Sequence, residues 1–280
     1  MSYMEKKFKL ASLKLLVFTL VAQVFAIYVT KIFYSSPLAE EVYEPFGNTL
    51  EGAIANSLPL IASVLVFGFF LAFLVKWKKF SFIKALVTGV LISSVFSVNL
   101  ILFSTIFPDS VLLPWIFSIL LVFLVFLVAY SKTFYFLSKF LSLFIGAEVA
   151  GYFATILQPP TVFVFPLLLS IYDIYAVFVG PLKRILGKPT KAKKVVKVKI
   201  DFLPLLIVDF DLIKIGLGDV IFYSMLPATA FMIFGLQKMF LTLFATNLGV
   251  LITIYLLRKK KIPLPGLPIP MFLGVLVLLL

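Results

Sequence analysis

The chain contains no cysteine and no histidine. Without histidine a Ser-His hydrolase has no base, and a His-Glu-x-x-His zinc site cannot be built. Haem and iron–sulfur clusters lose their usual ligands as well. The chemistry expected here therefore needs no metal and no cofactor. Missing cysteine is silent about compartment, because no disulfide could form in either. Charge is also sparse, at 13% of residues, with only Arg184 and Arg258 as arginines. No array of aromatic and basic side chains on a polar surface exists, so nucleic acid is not an expected partner.

What the 280 residues have in abundance is apolar surface, at 62% hydrophobic content. One soluble core could not hide that much, and most of it must face lipid. Apolar runs of about 20 residues recur, the length a helix needs to cross about 30 Å of hydrocarbon. Nine spans are expected, at 10–33, 53–75, 84–107, 111–129, 138–157, 161–180, 212–234, 239–257 and 266–280. The first run is too long for a signal-peptide core and reads as a retained span.

The net charge of +13 fits this layout, because the basic residues cluster between spans. They recur in every second connection: Lys6, Lys7 and Lys9; then Lys76, Lys78, Lys79 and Lys84; then Lys132 and Lys139. The loop 181–211 carries eight more, and Arg258 to Lys261 close the series. The connections between are acidic or nearly uncharged, as in Glu40, Glu41, Glu44 and Glu51. Nine spans place 21 of the 25 basic residues on one side, which makes the N-terminus cytoplasmic and the C-terminus external. The expected protein is an all-α, multi-pass protein of the cell membrane. Residues 1–157 form a scaffold of five spans, and 158–280 hold four more with the candidate chemistry.

In the basic loop, Val196, Val198, Ile200 and Phe202 alternate with Lys197, Lys199 and Asp201, which is a strand period. A second strand-prone stretch is Leu205 to Phe210. These stretches read either as a solvated loop or as an edge strand able to pair with an extended peptide.

Acidic groups inside a bilayer are costly and mark functional sites unless a partner explains them. Three qualify: Glu148, Asp173 and Asp219. Gly146, Ala147, Ala150 and Gly151 surround Glu148, which suits a close helix contact and a structural or cavity-lining role. Asp209 and Asp211 precede the seventh span and are expected at a wetted surface. Asp173 lies seven residues before Gly180 and Asp219 seven after Leu212, so each is expected roughly 10 Å from the same boundary. Two carboxyls in one site cannot both ionise cheaply, so such a pair shares a proton. One member can then take a proton from water while the other polarises a carbonyl. On spacing alone, a proton- or cation-coupled transporter or leak channel fits the pair equally.

The local sequence separates these readings. Asp173 sits in Ser170-Ile171-Tyr172-Asp173, followed by Gly180-Pro181-Leu182, and Asp219 in Gly216-Leu217-Gly218-Asp219. These segments resemble the Tyr-Asp and Gly-x-Gly-Asp motifs of the presenilin and signal peptide peptidase family of intramembrane aspartyl proteases. Pro265-Gly266-Leu267-Pro268 resembles that family's Pro-Ala-Leu motif, with Gly266 in place of alanine. The likeness is specific between about 161 and 275. It implies Asp173 and Asp219 as catalytic residues, supported by Tyr172, Gly216, Leu217 and Gly218, with Pro265 to Pro268 positioning substrate.

Physical reasons accompany the likeness. Gly216 and Gly218 clear space beside Asp219, and the prolines at 263, 265, 268 and 270 deny the region a regular helix. Irregular backbone at membrane depth needs protein or water beside it, so a wet cavity is expected there. The expected activity is hydrolysis of peptide bonds within or next to transmembrane helices, with Val195 to Phe210 capturing the unwound segment. With a cytoplasmic N-terminus the chain resembles presenilin in orientation, and that resemblance implies single-span substrates whose N-terminus is outside. Association into a homo-oligomer stays open. A prepilin-type Gly-x-Gly-Asp peptidase fits less well, given nine spans and the Pro-Gly-Leu-Pro element.

Overall fold

The computed structural model describes residues 3–77, 79–180, 205–260 and 264–280. The strand expected over 195–202 and most of the basic loop lie outside the described residues. Among the described residues are nine α-helices: α1 Tyr3–Tyr34, α2 Leu50–Lys76, α3 Phe80–Ile106, α4 Leu112–Tyr130, α5 Ser138–Ile156, α6 Thr161–Phe178, α7 Leu217–Phe234, α8 Leu236–Lys260 and α9 Pro268–Leu279. They match the nine expected spans in order.

Two boundaries differ from expectation. The first eight helices have the length and apolarity to cross a bilayer. The ninth has 12 residues, about 18 Å of helix against about 30 Å of hydrocarbon. The seventh begins at Leu217, not 212, because 207–216 form a hairpin instead of extra helical turns. Strand β1 (Ile207–Asp209) pairs antiparallel with β2 (Lys214–Gly216), with Ile207 opposite Gly216 and Asp209 opposite Lys214. Asp211 makes the turn with a φ of 67°, a conformation that aspartate tolerates better than most residues.

Burial sets the order of layers. Across its most apolar stretch α7 is 61% buried and α2 only 6%, which puts α7 at the centre of the bundle and α2 at its lipid-facing edge. Lipid tails give helices no hydrophobic reason to associate, so close packing at small residues and buried polar contacts must do so. Both occur around α7. Gly146 of α5 lets Leu217 and Val220 approach, and Gly151 lies against Val29 and Thr30 of α1. At Gly249 of α8 an added Cβ would stand 2.5 Å from the Cα of Pro270, so α8 and α9 touch backbone to backbone there.

The polar contact follows from a proline. Pro227 has no N–H to donate to the carbonyl of Tyr223, four residues earlier in α7. Gln23 of α1 supplies the missing donor, its Nε2 reaching that carbonyl at 3.1 Å. Gln23 Oε1 in turn accepts from Asn247 Nδ2 of α8 at 2.6 Å, and Thr19 donates to Asn247 Oδ1 at 3.2 Å. Three helices are thus tied at one buried carbonyl.

Charged residues of α1, α5 and α8 meet near the hairpin and the α1–α8 seam. Arg258, near the end of α8, pairs with Glu5 at the start of α1. Lys14 pairs with Asp211, and Lys139 at the start of α5 lies over the ring of Phe210.

Replacing Gln23 by Leu leaves the Tyr223 carbonyl buried and unpaired, and a group so stranded costs about 1–3 kcal/mol. Thermal unfolding in detergent should show that loss. In a Pro227→Ala background, residue 227 regains its N–H and most of the cost of Gln23→Leu should vanish.

Candidate active site

Asp219 is held by local structure, whereas Asp173 is held by a segment far away in sequence. Asp219 is the third residue of α7, and its Oδ2 accepts from the N–H of Gly216, the residue that caps the helix, at 3.1 Å. The hairpin explains why that N–H is available. Leu217 donates to Leu206 and Phe210 to Ile213, both at 2.8 Å. In the alternating pattern of an antiparallel pair this turns the N–H of Gly216 away from β1. The outer edge of β2 therefore faces Asp219. Asp173 comes from α6, five residues before its end at Phe178.

The two carboxyls converge on one short stretch of irregular backbone, Gly266–Leu267, just ahead of α9. The N–H of Leu267 donates to Asp173 Oδ2 at 3.1 Å. On the other side, Gly266 lies against Asp219 so closely that an added Cβ would stand 2.7 Å from Oδ1 and 3.0 Å from Oδ2. The carbonyl of Gly266 accepts from the hydroxyl of Tyr223 at 2.8 Å. Asp173 lies within Coulombic reach of both Asp219 and Tyr223.

A cavity of about 100 Å³ opens onto this cluster, lined by Asp219, Tyr223, Gly266, Lys214, Val250 and Ile254 among others. One water needs about 10–15 Å³ by the same measure, so several fit beside the Asp219 carboxyl. Two carboxyls, space for water and a polar backbone are the parts that acid–base hydrolysis requires. Among the described residues no three Asp, Glu, His or Cys side chains gather as a metal site would need.

The other expected residues have separable places. Leu217 packs into the core against Gly146, whereas Gly218 faces open space. Tyr172 turns its hydroxyl toward α2, where an added Cβ on Gly68 would lie 3.0 Å from it. Pro268 starts α9, a position that needs no N–H, and Pro265 precedes the Gly266 turn. Glu148 is buried and faces α3, where Asn99 Nδ2 donates to its Oε2 at 2.9 Å. It is a helix-to-helix contact. Asp209 pairs with Lys214 at 2.9 Å and Asp211 with Lys14 at 3.7 Å, both at exposed or part-exposed positions.

Tyr223 is the residue that reading the sequence passed over. Its spacing from Asp219, one helical turn, was the available signal, since residues four apart share a face. The Leu267 N–H could not have been found that way, because an irregular backbone has no period.

An Ala at position 266 would force the Asp219 carboxyl to turn off its bond to Gly216. Gly266→Ala should cost about 1–2 kcal/mol in thermal unfolding. In an Asp219→Ala background the same change should cost almost nothing, since no carboxyl then occupies the space.

The family model for presenilin matches residues 191–280. Presenilin-B of Dictyostelium discoideum is 32% identical over 123 residues, which is 41% of this chain and 24% of that protein. The chain thus spans about a quarter of the length of that curated relative. Among solved structures, a presenilin family intramembrane aspartate protease, seen in two crystal forms, superposes with a TM-score of 0.66 at 21% identity. In the first form the match covers 96% of this chain and 97% of that one, and in the second 95% of each. The chain therefore has the fold of a presenilin-family intramembrane aspartate protease, and its C-terminal third, which carries Asp219 and Pro265 to Pro268, matches presenilin in sequence.

Proposed function

We propose that this protein is an intramembrane aspartic endopeptidase that hydrolyses peptide bonds within or next to transmembrane helices of membrane-protein substrates. The observation that carries the reading is the convergence of Asp173 and Asp219 on Gly266–Leu267 beside a water-sized cavity. One aspartate, as carboxylate, takes a proton from water as the water attacks the scissile carbon. The other, as acid, donates a proton toward the carbonyl oxygen, and the pair then returns a proton to the leaving amine. The Leu267 N–H holds Asp173 and the Gly216 N–H holds Asp219, so neither carboxyl has to reorient before reaction.

A helical substrate hides its scissile bonds in its own hydrogen bonds and must unwind locally. The outer edge of β2, which faces Asp219, is suited to receive the unwound segment as an added strand. Tyr223 acts as a positioning residue by fixing the Gly266 carbonyl. The charge pattern supports a cytoplasmic basic end in the cell membrane, and the resemblance to presenilin supports single-span substrates with an external N-terminus. The transporter reading uses the same two aspartates, and no likeness to a transporter accompanies it.

In liposomes carrying a helical single-span peptide, Asp173→Asn and Asp219→Asn should each lower cleavage by about 10²–10⁴ while the variants remain folded. Full cleavage by either variant removes the dyad. An ion flux lost in both variants, with no cleavage by the parent, selects the transporter.

A separate pair of changes tests strand capture. Val208→Pro breaks a hydrogen-bonded pair with Ile215 and should lower cleavage about tenfold or more, since proline in a paired strand costs its ladder bond. Ile207→Pro removes an N–H that points away from β2 and should leave cleavage close to the parent value.

A further inference from the structure

A second cavity, of about 240 Å³, lies at the basic end of the seam between α1 and α8. It is separate in character from the site at Asp219. Its floor is apolar, from Phe8 of α1 and Leu251 of α8, and its rim carries Lys9, Tyr255 and Arg258. Arg258 is held in place from two sides: its Nη2 pairs with Glu5 at 2.7 Å, and its guanidinium lies 5.6 Å from the centre of the Phe8 ring. Its side chain is still half exposed. A guanidinium has five N–H donors, and the pair with Glu5 engages only one of its terminal nitrogens.

We propose that this groove is a binding site for an anionic phospholipid, with the headgroup phosphate between Arg258 and Lys9 and one acyl chain along Phe8 and Leu251. Three observations select this occupant. First, the groove lies between two membrane-spanning helices at the end where both carry their charge, so its apolar floor faces hydrocarbon and its rim faces headgroups. Second, the lining charges are Glu5 against Lys9 and Arg258, a net positive rim, and Lys6, Lys259 and Lys260 stand exposed nearby. Basic pockets between helices at such a surface favour phosphate headgroups. Third, Tyr255 is 62% exposed, with an aromatic body for the chain and a hydroxyl for the interface. A free anion would use the rim alone and leave the floor unfilled.

The groove shares one wall with the catalytic cavity. Ile254 lines both, and it is 7% exposed. A chain resting on the outer side of Ile254 would support the inner cavity from the lipid side.

Native mass spectrometry of the detergent-solubilised protein with phosphatidylglycerol or phosphatidylcholine of matched chains tests the site. The parent should retain phosphatidylglycerol in preference to phosphatidylcholine. Lys9→Gln and Arg258→Gln should each weaken that retention about fivefold, the effect of one basic residue at such a surface, and Lys76→Gln at the end of α2 should not. Leu251→Trp, which fills the floor without altering charge, should also lower it. Arg258→Gln disturbs the pair with Glu5, but Lys9→Gln leaves that pair intact and decides the matter if the arginine variant unfolds. Equal retention of the two lipids by the parent, or parent-like retention by Lys9→Gln, overturns the proposal. So does displacement of the lipid by inorganic phosphate at concentrations that only fill the rim, since that result describes a free-anion site.

Discussion

The arrangement of this protein rests on a constraint of solvent: backbone groups in a bilayer cannot be left to lipid, so every irregular segment must be met by protein or by water in a protein cavity. Gly266–Leu267 is where that constraint becomes the candidate site. Ahead of α9 the chain is not helical, and its polar groups need partners. Leu267 N–H finds the Asp173 carboxyl, and the Gly266 carbonyl finds the Tyr223 hydroxyl. Asp173 is thereby fixed on the segment that Gly266 packs against Asp219. A carboxyl that completes a backbone hydrogen bond is also a carboxyl that stays where chemistry needs it.

The supports of this segment are graded by the same rule. Pro227 strands a carbonyl in the middle of α7, and Gln23 repairs it from α1, which fixes α7 against its neighbour. Close contact at Gly249 brings the start of α9 against α8. The hairpin ends with its last outward N–H on Asp219. The first and last of these connections use a polar group that could not otherwise remain in lipid, and a wet cavity is left beside Asp219. Glu148 shows the contrasting use of an acid. With Asn99 as its partner between α5 and α3, it joins helices.

Much of this was legible before any fold was known. The count and order of helices followed from apolar runs of bilayer length. Asp173 and Asp219 stood out as charges in the wrong solvent. What failed was the boundary of the seventh span. Apolar residues from Leu212 onward satisfy a helix and a buried hairpin equally well, and composition cannot separate them. Matched depth was therefore inferred from a helix that does not begin where expected, yet the carboxyls still converge, because a shared backbone segment sets their places and not equal distances along two helices. The ninth helix begins at Pro268, two residues later than expected, because Gly266–Leu267 form the irregular segment that meets Asp173 and Asp219.

The sequence by itself determined the solvent, the number of helices, the absence of histidine and cysteine and which acids lie within apolar runs, since each depends only on residue type and on spacing along one chain. Tertiary structure alone decided which partners those acids have. The Leu267 N–H, the Tyr223 hydroxyl and the missing side chain at Gly266 come from positions 43 to 94 residues away from the groups they meet. Contacts at such separation have no period and no local signature. They arise when packed helices bring stranded polar groups within reach of one another.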